Sequence, residues 1–136
     1  MRIAIFSDIH ANLRAFEAAL RDMDSRKPDA IYCLGDLVGY NIWPNEVIAE
    51  IRRRGIATIA GNHDIKVKSL TAADNITESG KNYAYHIIRK ENRNYLLTLS
   101  AHIRLKFQLN DYPLEILLVH GSPKSIDEYL TEDLEE

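Results

Sequence analysis

Three short apolar runs, separated by single amphipathic stretches, constrain the fold of this chain more than any other feature. The runs occupy residues 2–6, 30–34 and 56–60, and runs of this length favour buried strands. Residues 13–25 and the stretch that begins at Pro44 repeat apolar side chains at helical spacing. Strands separated by single helices imply parallel crossovers in one sheet. The sequence therefore predicts an α/β fold that begins β-α-β-α-β.

Local signals mark the ends of both predicted helices. Asn12 is placed as an N-cap of the first helix, which Lys27-Pro28-Asp29 should end. Pro44 fits the first turn of the second helix, and Gly55 lies where a glycine commonly follows a helix.

The second half of the chain gives weaker signals. Residues 65–76 suggest a broken helix with turns, and residues 78–97 suggest a helix that Gly80 and the segment 92–94 interrupt. Tyr129 and Leu130 are expected to close a short last helix before a frayed acidic tail at 131–136.

Between these segments, two runs predict a β-hairpin. Apolar and polar residues alternate from Ile103 to Leu109, which indicates a half-buried strand. Asp111-Tyr112-Pro113 should turn the chain into a second strand over residues 114–119, which ends at His120.

Bulk composition indicates one cytoplasmic domain. The chain has 136 residues, of which 46% are apolar and 27% charged, and its net charge of −3 favours neither a broad nucleic-acid surface nor a membrane surface. The lone cysteine, Cys33, lies inside an apolar run, so we expect a buried residue in a reducing compartment. No apolar run reaches membrane-spanning length, and Met1-Arg2 leads straight into a strand without a signal-peptide pattern.

Polar side chains able to bind metal follow four of the apolar runs. They belong to four segments, Asp8-Ile9-His10, Gly35-Asp36, Gly61-Asn62-His63-Asp64 and His120-Gly121. The carboxyl ends of parallel strands meet at one edge of a sheet, so these segments should converge. Carboxylates with imidazoles suit a hard or borderline divalent metal such as Mn, Fe, Zn or Mg. Asp8 and His10, two residues apart in an extended segment, would point to the same side.

So many ligands suit a pair of metal ions acting on a phosphoryl group. Two ions about 3.5–4 Å apart can hold a bridging hydroxide and clamp phosphoryl oxygens. A carboxylate that bridges them needs a close approach of its loop, and Gly35 before Asp36 allows this. With metal-bound hydroxide as nucleophile, no serine or cysteine nucleophile is required.

These motifs, in this order and spacing, resemble those of the calcineurin-like metallophosphoesterases. The resemblance covers nearly the whole chain, and residues 7–13 and 39–47 are similar to the small prokaryotic phosphodiesterase branch. It implies that Asp8 and His10 bind a first metal, that Asp36 bridges both metals, and that Asn62 and His120 bind the second. It further implies that His63 is the general acid, with Asp64 holding its imidazole. The implied fold is an α+β sandwich of two sheets with helices outside.

The sequence departs from the family at its last motif. No G-x-H-x-H segment occurs, although that motif supplies one histidine to each metal. The resemblance therefore implies that residues 1–136 form a single domain truncated at its C-terminus, with an incomplete second sheet. The 103–119 hairpin would expose an edge through which the chain could form homo-oligomers.

Three functions remain open at this point. The first is a metal-dependent phosphoesterase, most readily a phosphodiesterase of small substrates, that uses two divalent ions (Mn favoured over Fe, Zn, Ni or Mg). The second is a truncated, non-catalytic module that binds metal or a partner. The third is a receiver-like signalling domain, which the Asp8-x-His10 pair and the Asn62-His63 pair argue against because a phospho-acceptor site needs no imidazole cluster.

Other polar residues could have either a functional or a purely structural role. Tyr40, Asn41 and Trp43 could line a substrate mouth or pack a loop, and Ser122 could contact phosphate or stabilise a turn. His86 and His102 are expected to be ordinary surface or half-buried residues. The arginines at 52–54 are expected to form a solvated helix end.

Overall fold

The fold was taken from a computed structural model, which describes residues 1–69, 82–109 and 112–131. Its first half is the predicted β-α-β-α-β unit. Its elements are β1 (Ile3–Phe6), α1 (Leu13–Arg26), β2 (Ala30–Cys33), α2 (Pro44–Arg54) and β3 (Ala57–Thr58). All three strands pair in parallel in the order β1-β2-β3. This arrangement confirms the predicted α/β class.

The predicted helix ends are confirmed in detail. The Asn12 side chain accepts a hydrogen bond from the backbone N–H of Ala15 and so caps α1. Pro44 opens α2, and Gly55 follows it with the left-handed φ of 63° that favours glycine.

One apolar core lies between the two helices and the parallel sheet. Phe16 and Leu20 of α1 pack with Val47, Ile48 and Ile51 of α2, and all five are buried. Cys33 is fully buried in the same core, as predicted, and burial raises the pKa of its thiol to about 12. The sheet is not buried on both faces, since Ile5 of β1 is 49% exposed, contrary to the expectation of a buried strand.

The middle of the chain forms short helices. They are α3 (Asn62–Ile65), a 3₁₀ turn (Lys66–Lys68), α4 (Tyr83–Ile87) and α5 (Lys90–Leu97). The predicted helix over 78–97 is therefore split, but at Ile88–Arg89 and not at 92–94. Asn92 lies inside α5 because its side chain is buried against Asn45 and Arg52, which satisfy its amide. The predictions for residues 70–81 lie outside the described residues.

The predicted hairpin is present, formed by β4 (His102–Leu109) and β5 (Tyr112–Val119), paired antiparallel. Tyr112 and Pro113, which were expected in the turn, belong to β5 and pair with β4. Alternate residues of β4 are half-buried, whereas Tyr112, Leu114 and Leu117 of β5 are exposed. The predicted helix around Tyr129 and Leu130 is wrong, because both residues lie in irregular chain and are largely exposed. No helix among the described residues is both long and apolar enough to cross a lipid bilayer.

Candidate metal centre

The loops that follow β1 and β2 run side by side and carry the first predicted ligands. Three backbone hydrogen bonds join them, from the amides of Asp8, His10 and Ala11 to the carbonyls of Gly35, Asp36 and Leu37. These bonds continue the β1-β2 pairing beyond the strands. The two loops are therefore fixed relative to each other, and so are the side chains that they present.

Asp8 and His10 reach the same point through an unusual backbone. Their φ angles are 59° and 46°, in the left-handed region, so the segment is not extended as the spacing argument assumed. Even so, Asp8 Oδ1 lies 3.4 Å from His10 Nε2. Asp36 also has a positive φ, of 55°. Each such conformation costs about 1–2 kcal/mol for a residue with a Cβ, and clustered strain of this kind is typical of functional sites.

The Asp36 carboxylate lies at the centre of the cluster. It is only 2% exposed, and its Oδ1 accepts a hydrogen bond from the backbone N–H of His63. Its Oδ2 lies 3.6 Å from His10 Nε2 and 3.8 Å from His120 Nε2. One oxygen thus faces two imidazoles at separations that leave room for metal ions between them.

Backbone carbonyls orient both of these histidines. His10 Nδ1 lies 3.1 Å from the Val38 carbonyl, and His120 Nδ1 lies 2.8 Å from the Leu34 carbonyl. Because a carbonyl can only accept, each Nδ1 must carry the hydrogen, which leaves the Nε2 lone pair directed at Asp36. Metal-binding histidines are commonly held in this way, so the donor set fits a divalent metal.

The predicted ligands come together as two overlapping groups. His10, Asp36 and His63 form one, and Asp8, Asp36 and His120 form the other, with the ligand atoms of each group within 4.8 Å of one another. Asn62 Oδ1 lies 3.3 Å from His120 Nε2, beside the second group. The division differs from that implied by the resemblance, which paired Asp8 with His10, so the assignment of each ligand to one ion stays a prediction.

Two glycines let the loops after β2 and β3 approach each other. A Cβ on Gly35 would lie 2.2 Å from the backbone nitrogen of Gly61, and a Cβ on Gly61 would lie 2.1 Å from Asp36 Oδ1. Such distances are far below van der Waals contact. The predicted close approach at Gly35 is therefore present, and Gly61 provides the matching space on the neighbouring loop.

Asp64 does not hold the His63 imidazole, and this correction has a clear cause. Its carboxylate is fully buried, and both oxygens accept hydrogen bonds from backbone amides. The donors are the N–H groups of Asp36 (2.8 Å), Leu37 (2.9 Å), Gly61 (3.0 Å) and Val38 (3.3 Å). Burial raises the pKa of Asp64 to about 7, while the amides favour the carboxylate. Asp64 thus joins the loop that carries Asp36 to the loop that carries His63.

Tyr85 holds His63 instead. The Tyr85 hydroxyl donates to the His63 carbonyl oxygen at 3.1 Å and lies 3.0 Å from His63 Nδ1. Since its single hydrogen is used on the carbonyl, the phenol oxygen accepts from Nδ1–H. The sequence gives no signal for this contact, because no motif spacing links residue 85 to residue 63.

The electrostatic surroundings of His63 are mixed. Burial lowers the pKa of this imidazole, the Asp36 carboxylate opposes that shift, and the ammonium of Lys66 adds to it. Lys66 Nζ lies 3.4 Å from His63 Nε2. A lowered pKa makes the protonated imidazole a stronger acid.

Ser122 has a structural role, and two further histidines lie away from the ligand groups. The Ser122 hydroxyl accepts hydrogen bonds from the amides of Lys124 and Ser125 and donates to Glu128, so it stabilises the turn after β5. His86 and His102 are exposed and lie outside the two ligand groups.

The arginines at the end of α2 are not simply solvated. Arg53 and Arg54 bind Glu50, and Arg54 also binds Asp24 of α1. Arg52 lies over the Tyr95 ring, 5.3 Å from its centroid. This end of the helix therefore joins α2 to α1 and α5.

Comparison with known proteins shows the family of the chain. The family model for calcineurin-like phosphoesterases matches residues 1–135. The chain is 35% identical to the uncharacterized protein MJ0912 of Methanocaldococcus jannaschii, a match that covers 96% of this chain and 54% of that protein. The chain thus spans about half the length of this curated relative.

Two solved structures also match this chain. The metallophosphoesterase from Sphaerobacter thermophilus superposes with a TM-score of 0.72 at 34% identity, over 96% of this chain and 51% of that one. A structure described as a candidate diadenosine tetraphosphatase superposes with a TM-score of 0.57 at 30% identity, over 76% of this chain and 45% of that one. By its motifs, its fold and the match along its length, the chain belongs to the calcineurin-like phosphoesterase family.

Proposed function

We propose that the protein hydrolyses small phosphodiesters at a site that holds two divalent metal ions, with manganese favoured. The observation that supports this most is the position of Asp36 Oδ2, within 3.8 Å of the Nε2 atoms of both His10 and His120. A carboxylate oxygen between two oriented imidazoles suits a ligand shared by two ions. Asp8 and His10, together with Asn62 and His120, would complete the two coordination sets.

Two bound ions would polarise the phosphoryl oxygens and make a water molecule acidic enough to attack phosphorus at neutral pH. The residues of the chain have separate tasks. Asp8, Asp36, Asn62 and the histidines at positions 10 and 120 would hold the ions, and the amides that bind Asp64 keep the loops in register. His63, oriented by Tyr85, protonates the departing ester oxygen from its Nε2, a contribution worth about 10²–10⁴-fold. Lys66 beside Nε2 favours the delivery of that proton.

Metal content and hydrolysis of a chromogenic phosphodiester with added Mn²⁺ test this proposal together. We expect the wild type to bind more than one ion per chain and to release 4-nitrophenolate. Asp36→Asn should lose both properties, whereas His63→Ala should lose most of the activity. His102→Ala is the matched control, since His102 is an exposed histidine outside the cluster. Unchanged activity in Asp36→Asn would contradict the enzyme proposal.

The alternative is a metal-binding or interaction module without catalysis. The exposed Tyr112, Leu114 and Leu117 of β5 favour it, because an uncovered apolar strand can bind another copy of the chain. Stoichiometric metal binding without hydrolysis of any diester, together with dimers in solution, would support this second function.

A further inference from the structure

Tyr40 combines a disfavoured backbone conformation with a largely exposed side chain. Its φ of 41° lies in the left-handed region, which is disfavoured for a residue with a Cβ. Its side chain is nevertheless 55% exposed, so burial of the ring does not offset this conformation. Strain at an exposed aromatic residue beside a reactive centre points to a role in that centre.

The Tyr40 ring lies against two histidines of the metal cluster. Its centroid is 4.7 Å from that of His10, in an edge-to-face arrangement, and 4.8 Å from that of His63. The ring therefore occupies the mouth of the site with part of its surface facing solvent. A ligand whose phosphoryl group reached Asp36 could extend its substituent over this ring.

The cavity at the metal cluster has a polar interior and an aromatic rim. Its volume is about 410 Å³, within the usual range for a small ligand. Besides the cluster, its lining includes Tyr40, Ile126, Tyr129 and Leu130. Tyr129 is 84% exposed, so a second aromatic ring is available at the same opening.

The charges around the cavity limit how the outer part of a ligand can be held. Asp127 and Glu128 line it in addition to Asp8 and Asp36, and no lysine or arginine occurs among the described lining residues. A chain of further phosphates would thus meet carboxylates along the described lining, while the Lys66 ammonium lies beside His63 Nε2. This lining favours apolar and aromatic contacts, rather than ion pairs, for the part of a ligand outside the reacting phosphoryl group.

We propose that Tyr40 stacks on an aromatic base of the substrate, and that the substrate is a nucleoside phosphodiester. This inference rests on the proposed phosphodiesterase function and names its substrate class. An exposed aromatic platform stabilises a nucleobase through stacking, whereas a methyl ester has no ring to place there. Tyr40 is thereby a specificity-determining residue and not a metal ligand.

Two diesters with the same charge and the same leaving group test the proposal. We would compare kcat/KM for adenosine 5′-(4-nitrophenyl) phosphate and methyl 4-nitrophenyl phosphate in the Mn²⁺-loaded protein. The wild type should prefer the nucleoside ester by about tenfold or more. Tyr40→Ala should bring the ratio of the two values close to one, and Tyr40→Phe should keep it. Tyr112→Ala, the same change at an exposed tyrosine of the hairpin, should leave the ratio unaltered.

The outcomes separate this inference from the proposed function. Equal loss of both activities in Tyr40→Ala would show that Tyr40 only supports His10 and His63, which overturns the inference and keeps the phosphodiesterase. If neither ester is hydrolysed, the inference is tested by calorimetry, which compares the affinities of the protein for adenosine 5′-methyl phosphate and dimethyl phosphate. A preference for the nucleoside ester that Tyr40→Ala abolishes supports stacking although the proposed reaction has failed, and equal affinities overturn it.

Discussion

Asp64 provides the sharpest test of how this site is built. Replacing it with alanine removes a fully buried carboxylate that accepts hydrogen bonds from the amides of Asp36, Leu37, Val38 and Gly61. A buried amide without a partner costs about 1–3 kcal/mol, and water entering the new space would satisfy some of the four. We therefore expect Asp64→Ala to lower the free energy of unfolding by about 3–5 kcal/mol, a large part of the 5–15 kcal/mol that is usual for a domain.

Urea denaturation followed by circular dichroism measures this loss. Asp64→Asn should lose less, because its amide keeps one acceptor oxygen while its NH₂ group faces N–H donors. Asp22→Ala, which removes an exposed carboxylate paired with Arg26, is the control and should leave the midpoint unchanged within error. Wild-type stability in Asp64→Ala, combined with lost activity, would refute the structural role and restore the idea that Asp64 acts through the His63 imidazole.

Further predictions concern the glycines, the tyrosine and the surface ion pairs. Gly61→Ala should lower the free energy of unfolding by about 1–3 kcal/mol and abolish tight Mn²⁺ binding in calorimetry, because the new Cβ would overlap Asp36. In the control Gly55→Ala, the new Cβ has nothing within 4 Å, so metal affinity should be unchanged. Tyr85→Phe should reduce kcat about tenfold or more with little change in KM, since the ring still packs while His63 Nδ1 loses its acceptor; an unchanged kcat would exclude this orienting role. Hydrogen bonds from Arg53 and Arg54 lower the pKa of Glu50 from 4.5 to about 2, so the stability that Glu50 contributes is present above pH 4.5 and is lost as the pH falls towards 2. Across that interval the free energy of unfolding, measured by urea titration, should fall by about 0.3–1 kcal/mol more in the wild type than in Glu50→Gln, and equal slopes would contradict the pairing.

The fold of the first half is local enough to be predicted from the sequence. Apolar periodicity distinguishes strands from helices, and Asn12, Pro44 and Gly55 mark helix ends through their own side chains and allowed φ angles. The hairpin strands are equally predictable, because the alternation along residues 103–108 directly reflects one covered face. The split of the later helix at Ile88–Arg89 was not predictable, since buried contacts of Asn92 with Asn45 override its low helix preference.

The sequence by itself determined the chemistry that can meet at the site. Motif order and the rule that parallel strands end at one edge were sufficient to bring Asp8, His10 and Asp36 into one cavity. His120 follows a strand of the antiparallel hairpin, so its place in that cavity was implied by the family resemblance and not by the rule. Only the tertiary structure determined which side chain orients which other group by a hydrogen bond. Asp64 is adjacent to His63 in sequence but binds the backbone of another loop, whereas Tyr85, 22 residues away, reaches the imidazole. Adjacent side chains on a short helix point in different directions, and long-range partners depend on how separate elements pack, which no local pattern encodes.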